Sequence, residues 1–340
     1  MKRILPVVAT IAATVMAFPM TAQAGATLDA VMARGKLICG VNGGRVGMSV
    51  LTAKGTYVGM DIDTCHAVAA AVLGDKTKVQ YVPTTNQTRF PALTSGDVDV
   101  LPRNVTWTLT RDTAGGMAFP VTTFYDGQAF MIPKKFGIDK ATGLDGVTMC
   151  VLPGSTSEKV AADFFRSNNM KYTPLVMENI KELNAAFFAG RCDAFMQSSS
   201  GLSAIRSVAP NPNDYVILPE RFGRDPMGPV VRHGDFQWFD IVAWTVYAMI
   251  EGERWGITSK NVDEFVKSKN PNIRRILGAN PELGKALGLS PDWAYQVIKQ
   301  VGNYKESFDR NFGMGSALKL KRGLNALWTD GGLIYSPPFK

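Results

Sequence analysis

The sequence predicts an α/β fold of two similar lobes, each built on a doubly wound sheet, with two hinge strands joining them. Three observations carry this expectation. A βαβαβ alternation begins near residue 36, and a second begins near residue 147. The two halves end alike, Ser95-Gly96-Asp97-Val98-Asp99-Val100 in the first and Ala189-Gly190-Arg191-Cys192-Asp193-Ala194 in the second. Two short apolar stretches, 128–133 and 228–231, fit an outward and a return connection.

In the first half, an apolar strand over 37–41 runs into the loop Asn42-Gly43-Gly44. After a loop carrying Tyr57 and Gly59 comes a helix over 62–73, with Ile62, Cys65, Val68 and Val72 on one face and Gly74 as its stop. A strand at 78–83, a short helix at 87–95 and a strand at 98–101 complete that half. In the second half, a strand over 147–151 leads through Pro153-Gly154-Ser155-Thr156 into a helix over 156–167. A strand at 172–177, a helix at 180–189 and a strand at 192–196 follow. Alternation with short turns argues for parallel sheets. The expected boundaries are a first lobe over 25–131, a second over 132–229, and a return to the first lobe over 230–340 that ends in a helical extension. Within that extension, 261–269 and 291–301 read as helices, broken at Asn270-Pro271 and Ser290-Pro291.

Composition removes several function classes. The chain has 340 residues, 46% hydrophobic and 19% charged, which excludes collagen-like, coiled-coil and disordered chains and suits two domains. The formal charge of +8 is spread thinly. Its densest basic run, 319–322, is interrupted by Leu320, and no aromatic-interleaved basic stripe exists, so nucleic acid is not an expected partner. Lys2 and Arg3 precede an apolar stretch over 4–18, and Ala22-Gln23-Ala24 forms an A-x-A site before Gly25. This is the layout of a secretory signal peptide over 1–24, cleaved after Ala24. Its removal leaves 316 residues at +6. The strongest later apolar run, 241–250, is about half the roughly 20 residues a membrane span needs and reads as a core helix.

Export gives the four cysteines a disulfide reading, with three possible connectivities. Cys39 lies in the first strand and Cys65 on the apolar face of the next helix, so 39–65 is the preferred pair and 150–192 remains. No C-x-x-C occurs, and the only histidines are His66 and His233, so neither a metal nor another cofactor is expected. Neither histidine has an evident nucleophile partner, so no catalytic residue is assigned. Asp61, Asp63, Asp97, Asp99 and Asp193 stand at helix or strand starts, where capping is their usual role.

Ligands of open α/β sheets sit beyond the carboxyl ends of the strands. The loops after Val41, Leu101, Val151 and Met196 are therefore expected to converge on one cleft. The loop after Leu101 carries Thr106 and Arg111; a guanidinium offers a planar fork for a carboxylate. The plainer reading is a helix cap at Thr108 or Thr110 with a solvated arginine. Gly154-Ser155-Thr156 offers free N–H groups at a helix start, although Ser155 and Glu158 also have capping-box spacing. Residues 40–47 contain no G-x-G-x-x-G, which discounts a dinucleotide. Trp107 and Tyr57 read as wall or core more readily than as stacking platforms.

Several longer stretches are familiar. They include Gly59-Met60-Asp61-Ile62-Asp63, the run from Asn104 to Asp112, Phe124-Tyr125-Asp126-Gly127-Gln128 and Ala189-Gly190-Arg191-Cys192-Asp193. Gln237-Trp238-Phe239-Asp240-Ile241-Val242 and Arg322-Gly323-Leu324-Asn325-Ala326-Leu327-Trp328 extend them towards the C-terminus. On these the chain resembles the periplasmic solute-binding proteins of polar amino-acid ABC importers, most of all the general L-amino-acid branch. The resemblance implies a two-lobed type II periplasmic binding protein, a periplasmic monomer that closes on its solute and docks on an inner-membrane permease. It also implies roles at matching positions. Arg111 would grip a ligand carboxylate with Thr106, Thr156 and Ser155, and the Asn104 carbonyl would face an ammonium. Asn86 and Trp107 complete the candidate set.

The chain departs from that pattern in two places. Ser198 stands where the resemblance expects an acidic residue for the ammonium, and Arg45 replaces an apolar or aromatic wall. The cleft is then expected to favour anions, with Arg45 meeting a second acidic group unless it points to solvent. An acidic amino acid, a dicarboxylate or a small γ-glutamyl peptide would fit. The alternative is a dehydratase of the cyclohexadienyl type on the same fold; ligand delivery to a chemoreceptor would use the same cleft.

Overall fold

The computed structural model describes residues 25–340, and the signal peptide expected over 1–24 lies outside the described residues. In the first half, strand Leu37–Val41 pairs in parallel with Val79–Pro83, from Leu37↔Val79 to Val41↔Pro83. The helix between them, Met60–Leu73, starts two residues before the expected Ile62. Gly59 precedes it at φ 136°, and a side chain there would collide with the Met48 carbonyl, so only glycine lets the chain turn in. Cys65 on its buried face is bonded to Cys39 with Cα atoms 6.2 Å apart, the preferred pairing.

The third strand of each half begins later than expected, for one reason in both. In the first half it is Leu101–Thr106 rather than 98–101. Asp99 bridges to the neighbouring strand instead: its N–H donates to the Ile38 carbonyl at 2.9 Å, its carboxylate accepts the Ile38 N–H at 2.7 Å, and Arg34 pairs with it. In the second half, Asp193 repeats this on Thr148, donating its N–H at 2.8 Å and accepting at 2.8 Å. The strand then runs over Ala194–Ser198 rather than 192–196, next to Val147–Val151, which pairs on its other side with Tyr172–Val176. Cys192 is bonded to Cys150, Cα to Cα 5.6 Å. The matching sequence endings are thus matching clamps, not helix caps. Asp61 and Asp63 do not cap their helix either, since it has no side-chain cap.

Both connecting strands are longer than expected. They run over Phe124–Pro133 and Phe222–Arg232 and pair antiparallel, Asp225 opposite Asp126 and Met227 opposite Phe124. The large sheet they run through is therefore mixed, while the Leu37–Val41 and Val79–Pro83 pair is parallel as expected. One sheet runs from Tyr172–Val176 through Val147–Val151 and Ala194–Ser198, across both connecting strands, to Leu101–Thr106. Side chains of the two hinge strands consequently reach the mouth of both halves.

The apolar interior follows the same division. One cluster holds Val41, Val68, Trp238 and Ile298; two others hold Phe130, Phe165 and Met196, and Met131, Leu183 and Phe195. The C-terminal residues join the first. Helix Phe236–Arg254 buries Ile241 through Ala243 and Ala248 through Ile250, as its apolar run implied. Helix Trp293–Val301 lies nearly where expected and packs on Met60–Leu73. The helix expected over 261–269 covers only Val262–Phe265, because the chain turns ahead of Asn270-Pro271. Asp63 ties the extension down, accepting bonds from Ser307 at 2.6 Å, Arg310 at 3.0 Å and Asn311 at 2.6 Å. Among the described residues, no helix is long and apolar enough to cross a membrane.

Candidate functional site

The strand ends of the two halves face each other across a narrow cleft with little free space left in it. Eight of the nine candidate residues line it: Arg45, Asn86, Asn104, Thr106, Arg111, Ser155, Thr156 and Ser198. Trp107 does not. It is 41% exposed and stacks on Phe119 with ring centroids 5.6 Å apart, because the strand's alternation turns it away from Thr106. Tyr57 borders an adjoining space that shares Asn86 and Ile180 with the cleft.

Around Arg111 the cap of the plainer reading is present, but the arginine is not left to solvent. Thr108 caps helix Leu109–Ala114 by accepting the Arg111 N–H at 3.4 Å, while the guanidinium turns inward. It donates to the Thr106 carbonyl at 2.8 Å and to the Gly154 carbonyl of the other half at 3.4 Å, 5.3 Å above the Phe90 ring. The Thr106 hydroxyl lies 3.1 Å from that of Thr156, so the halves meet there. Ser155 is occupied by its cap: it accepts the Glu158 N–H at 3.1 Å and donates to the Leu152 carbonyl at 2.7 Å. The Glu158 carboxylate reaches the Gly154 N–H at 2.9 Å, not Ser155, so the capping box is incomplete.

Asn104 has φ 42°, in the left-handed region that costs a non-glycine residue about 1–2 kcal/mol. Its N–H is held by Asp61 at 3.0 Å, and its side-chain Oδ1 has no partner among the described residues. Asn86 spans the halves, donating to the Pro153 carbonyl at 3.2 Å and accepting from Arg103 at 2.9 Å. Arg45 does not point to solvent. It is 7% exposed and crosses the cleft to donate to Gln197 at 3.0 Å and to the Ser198 hydroxyl. Gly201 makes this possible: a Cβ there would stand 2.9 Å from the guanidinium carbon.

The strongest groups on the lining were not foreseen. Arg89 is 3% exposed, its Nε has no partner, and it joins no ion pair among the described residues. Burial holds its basicity well below the ordinary arginine value, and Arg103, Arg111 and Arg45 push it further down. Its sequence signal was a cation in the first turn of helix Arg89–Thr94, where the helix dipole disfavours positive charge. Asp225 supplies the lining's carboxylate. It accepts from the Thr106 hydroxyl and from Gln128 at 2.7 Å, while Gln128 accepts from Ser157 at 2.6 Å. Burial pushes Asp225 up to about 6 and Asp61 up to about 7, although Arg45 opposes both shifts. Burial, with Arg45 adding, brings Arg103 down to about 9.

The cleft thus sets three arginines, Arg45, Arg89 and Arg111, against one carboxylate, which suits an anion held by oriented donors. The histidines stand apart, His66 bonded to the Tyr81 hydroxyl at 2.7 Å and His233 engaged through its backbone. Among the described residues, no group of His, Cys, Asp or Glu is placed to hold a metal.

Comparison with known proteins places the chain in a family. The chain is 51% identical over 334 residues to a general L-amino acid-binding periplasmic protein of Rhizobium johnstonii, covering 98% of each. It is 50% identical over 320 residues to a glutamate/glutamine/aspartate/asparagine-binding protein of Rhodobacter capsulatus, covering 94% of this chain and 95% of that one. A periplasmic binding protein from Brucella ovis, solved with glutathione bound, superposes with a TM-score of 0.90 at 49% identity, over 92% of this chain and 99% of that one. Residues 37–276 match the bacterial extracellular solute-binding proteins, family 3. The protein belongs to that family and has its two-lobed type II α/β fold.

Proposed function

We propose that this protein is an extracytoplasmic binding protein that delivers an amino acid or related small carboxylate to an ABC importer. The observation that carries the reading is the buried Arg89, its Nε without a partner among the described residues, beside Arg111 in a cleft between two lobes. An uncompensated buried charge is costly, and an anionic ligand removes that cost. Arg111 takes one carboxylate of the solute, helped by Thr106 and Thr156. Arg89 meets a second anionic group. Arg45, the earlier candidate for that role, already donates to Gln197 and Ser198. The relatives' ligands point the same way: the Rhodobacter protein is named for acidic amino acids and their amides, and the Brucella protein holds glutathione. Glutamate, aspartate and glutathione each bear two carboxylates.

The lobes run over 25–131 with 230–340, and over 132–229. Solute touching both stabilises closure through the two hinge strands. The chain acts in the periplasm as a monomer after cleavage behind Ala24, and its partner is an inner-membrane permease. It is not an enzyme. A dehydratase needs a general acid aimed at its substrate, and both oxygens of Asp225 are engaged by Thr106 and Gln128.

Calorimetry on protein freed of bound solute tests the reading with acidic, neutral and basic amino acids and small dicarboxylates. Acidic members should bind tightest; tightest binding of lysine or arginine would overturn the acidic assignment. Turnover of prephenate or arogenate would revive the dehydratase. Small-angle scattering should register compaction on adding the bound solute.

A further inference from the structure

We infer that Arg45 is a latch between the two halves, a positioning residue that favours the closed cleft to the same degree whichever solute is bound. This goes beyond the solute reading above and rests on it for the two lobes that close.

Arg45 belongs to the first half, in the short strand Gly44–Arg45 that pairs with Ser49–Leu51. Both acceptors of its guanidinium belong to the second half, Gln197 at 3.0 Å and the Ser198 hydroxyl, at the end of strand Ala194–Ser198. The seat around it is also built by the second half. Gly201, Ala204 and Ile205 of helix Ser199–Ser207 and Asn184 of helix Ile180–Phe188 line one small space with it. Gly201 leaves the gap that the guanidinium fills, since a Cβ there would stand 2.9 Å from its central carbon. Arg45 joins no ion pair among the described residues. Burial lowers its basicity, and the Asp225 and Asp126 carboxylates on the two hinge strands oppose that shift from a distance.

These contacts exist only while the halves are together. Opening about the hinge strands draws Arg45 off its seat and returns it to water, so its bonds count for the closed form alone. Arg111 and Thr106 also bridge the halves, but they are the groups that take the solute carboxylate, and what they contribute varies with the solute. The acceptors of Arg45 are protein atoms. A ligand that binds the closed form gains the whole of this share whatever its side chain, because apparent affinity scales with the binding-competent fraction of the protein.

Two variants that keep every charge test this. Gly201 does not line the arginine cleft. Gly201→Ala puts a methyl group where the guanidinium lies, and alanine suits a helix interior better than glycine, so the fold is retained. Arg45→Lys keeps the cation but loses the planar fork that reaches two acceptors. Calorimetry with glutamate, glutamine and small dicarboxylates should show each variant weakening every solute the wild type binds by one common factor, about fivefold or more. Losses that differ between solutes by more than about threefold, or that stay below about fivefold in either folded variant, would overturn the latch. If no amino acid or carboxylate binds, the solute reading itself fails, and small-angle scattering from solute-free protein decides the latch alone. A larger radius of gyration in both variants then supports it, and equal radii overturn it.

Discussion

Replacing Arg89 by methionine should move stability and affinity in opposite directions. Arg89 is 3% exposed, lacks a partner for Nε, and stands among Arg45, Arg103 and Arg111. A buried charge without compensation costs about 3–5 kcal/mol where a partner has been removed. Methionine is of similar length and carries no charge, so the ligand-free protein should regain that amount. The guanidinium also lies 4.5 Å over the Phe90 ring, and losing that contact returns about 0.5–2 kcal/mol. The net expectation is a gain of about 1–4 kcal/mol, or about 2–16 °C in melting temperature at the usual 2–4 °C per kcal/mol. Affinity for an acidic ligand should fall by one charge-assisted bond, about 1.5–3 kcal/mol, which is about 10- to 150-fold. Thermal unfolding by circular dichroism of solute-free protein reads the first quantity and calorimetry the second. A ligand-free variant that melts below the wild type, or one that keeps full affinity, would refute the reasoning.

Three other perturbations have defined outcomes. Asp99→Ala and Asp193→Ala each unmake the same clamp and strand a backbone N–H, so denaturant melts should show losses of about 1–3 kcal/mol of similar size. Removing the Cys39–Cys65 bond, which spans 26 residues, or the Cys150–Cys192 bond, which spans 42, should cost about 3–4 kcal/mol by loop entropy, with the larger loop losing slightly more. The Asp225 carboxyl titrates near 6, above its ordinary 3.8. Its contribution to ligand-free stability is therefore full below about pH 4 and lost as pH rises through 6. Asp225→Asn should flatten the wild-type decline across that window by up to about 3 kcal/mol, and parallel pH profiles would count against the assignment.

Much of the fold was legible because local pattern and tertiary role coincide. The repeated endings around Asp99 and Asp193 marked two copies of one plan, and the structure turns both into the same strand-bridging clamp. The cysteine pairing followed from an apolar strand beside an apolar helix face. The positions of Arg111, Thr106 and Thr156 followed from a rule of topology, that strand ends of an α/β sheet line the binding cleft. Strand boundaries were less legible, since periodicity cannot tell a ladder residue from one pinned by a side-chain bridge.

The chemistry of the cleft was hardest to read. Arg89 and Asp225 lie 136 positions apart, one on a short helix and the other on a hinge strand, yet both line the same small volume. Trp107 faces away although it follows Thr106, and Arg45 points inward because Gly201 of the other half leaves room. Lobes, cysteine pairs and strand-end loops are local or repeated properties, and these residues carry them in their order along the chain. Whether a charge is buried, paired or left waiting for a ligand depends on groups brought together from both lobes. Desolvation and Coulomb interactions act through space, so only the assembled cleft decides that the Arg89 Nε lacks a partner among the described residues and that Arg45 is engaged by Gln197 and Ser198.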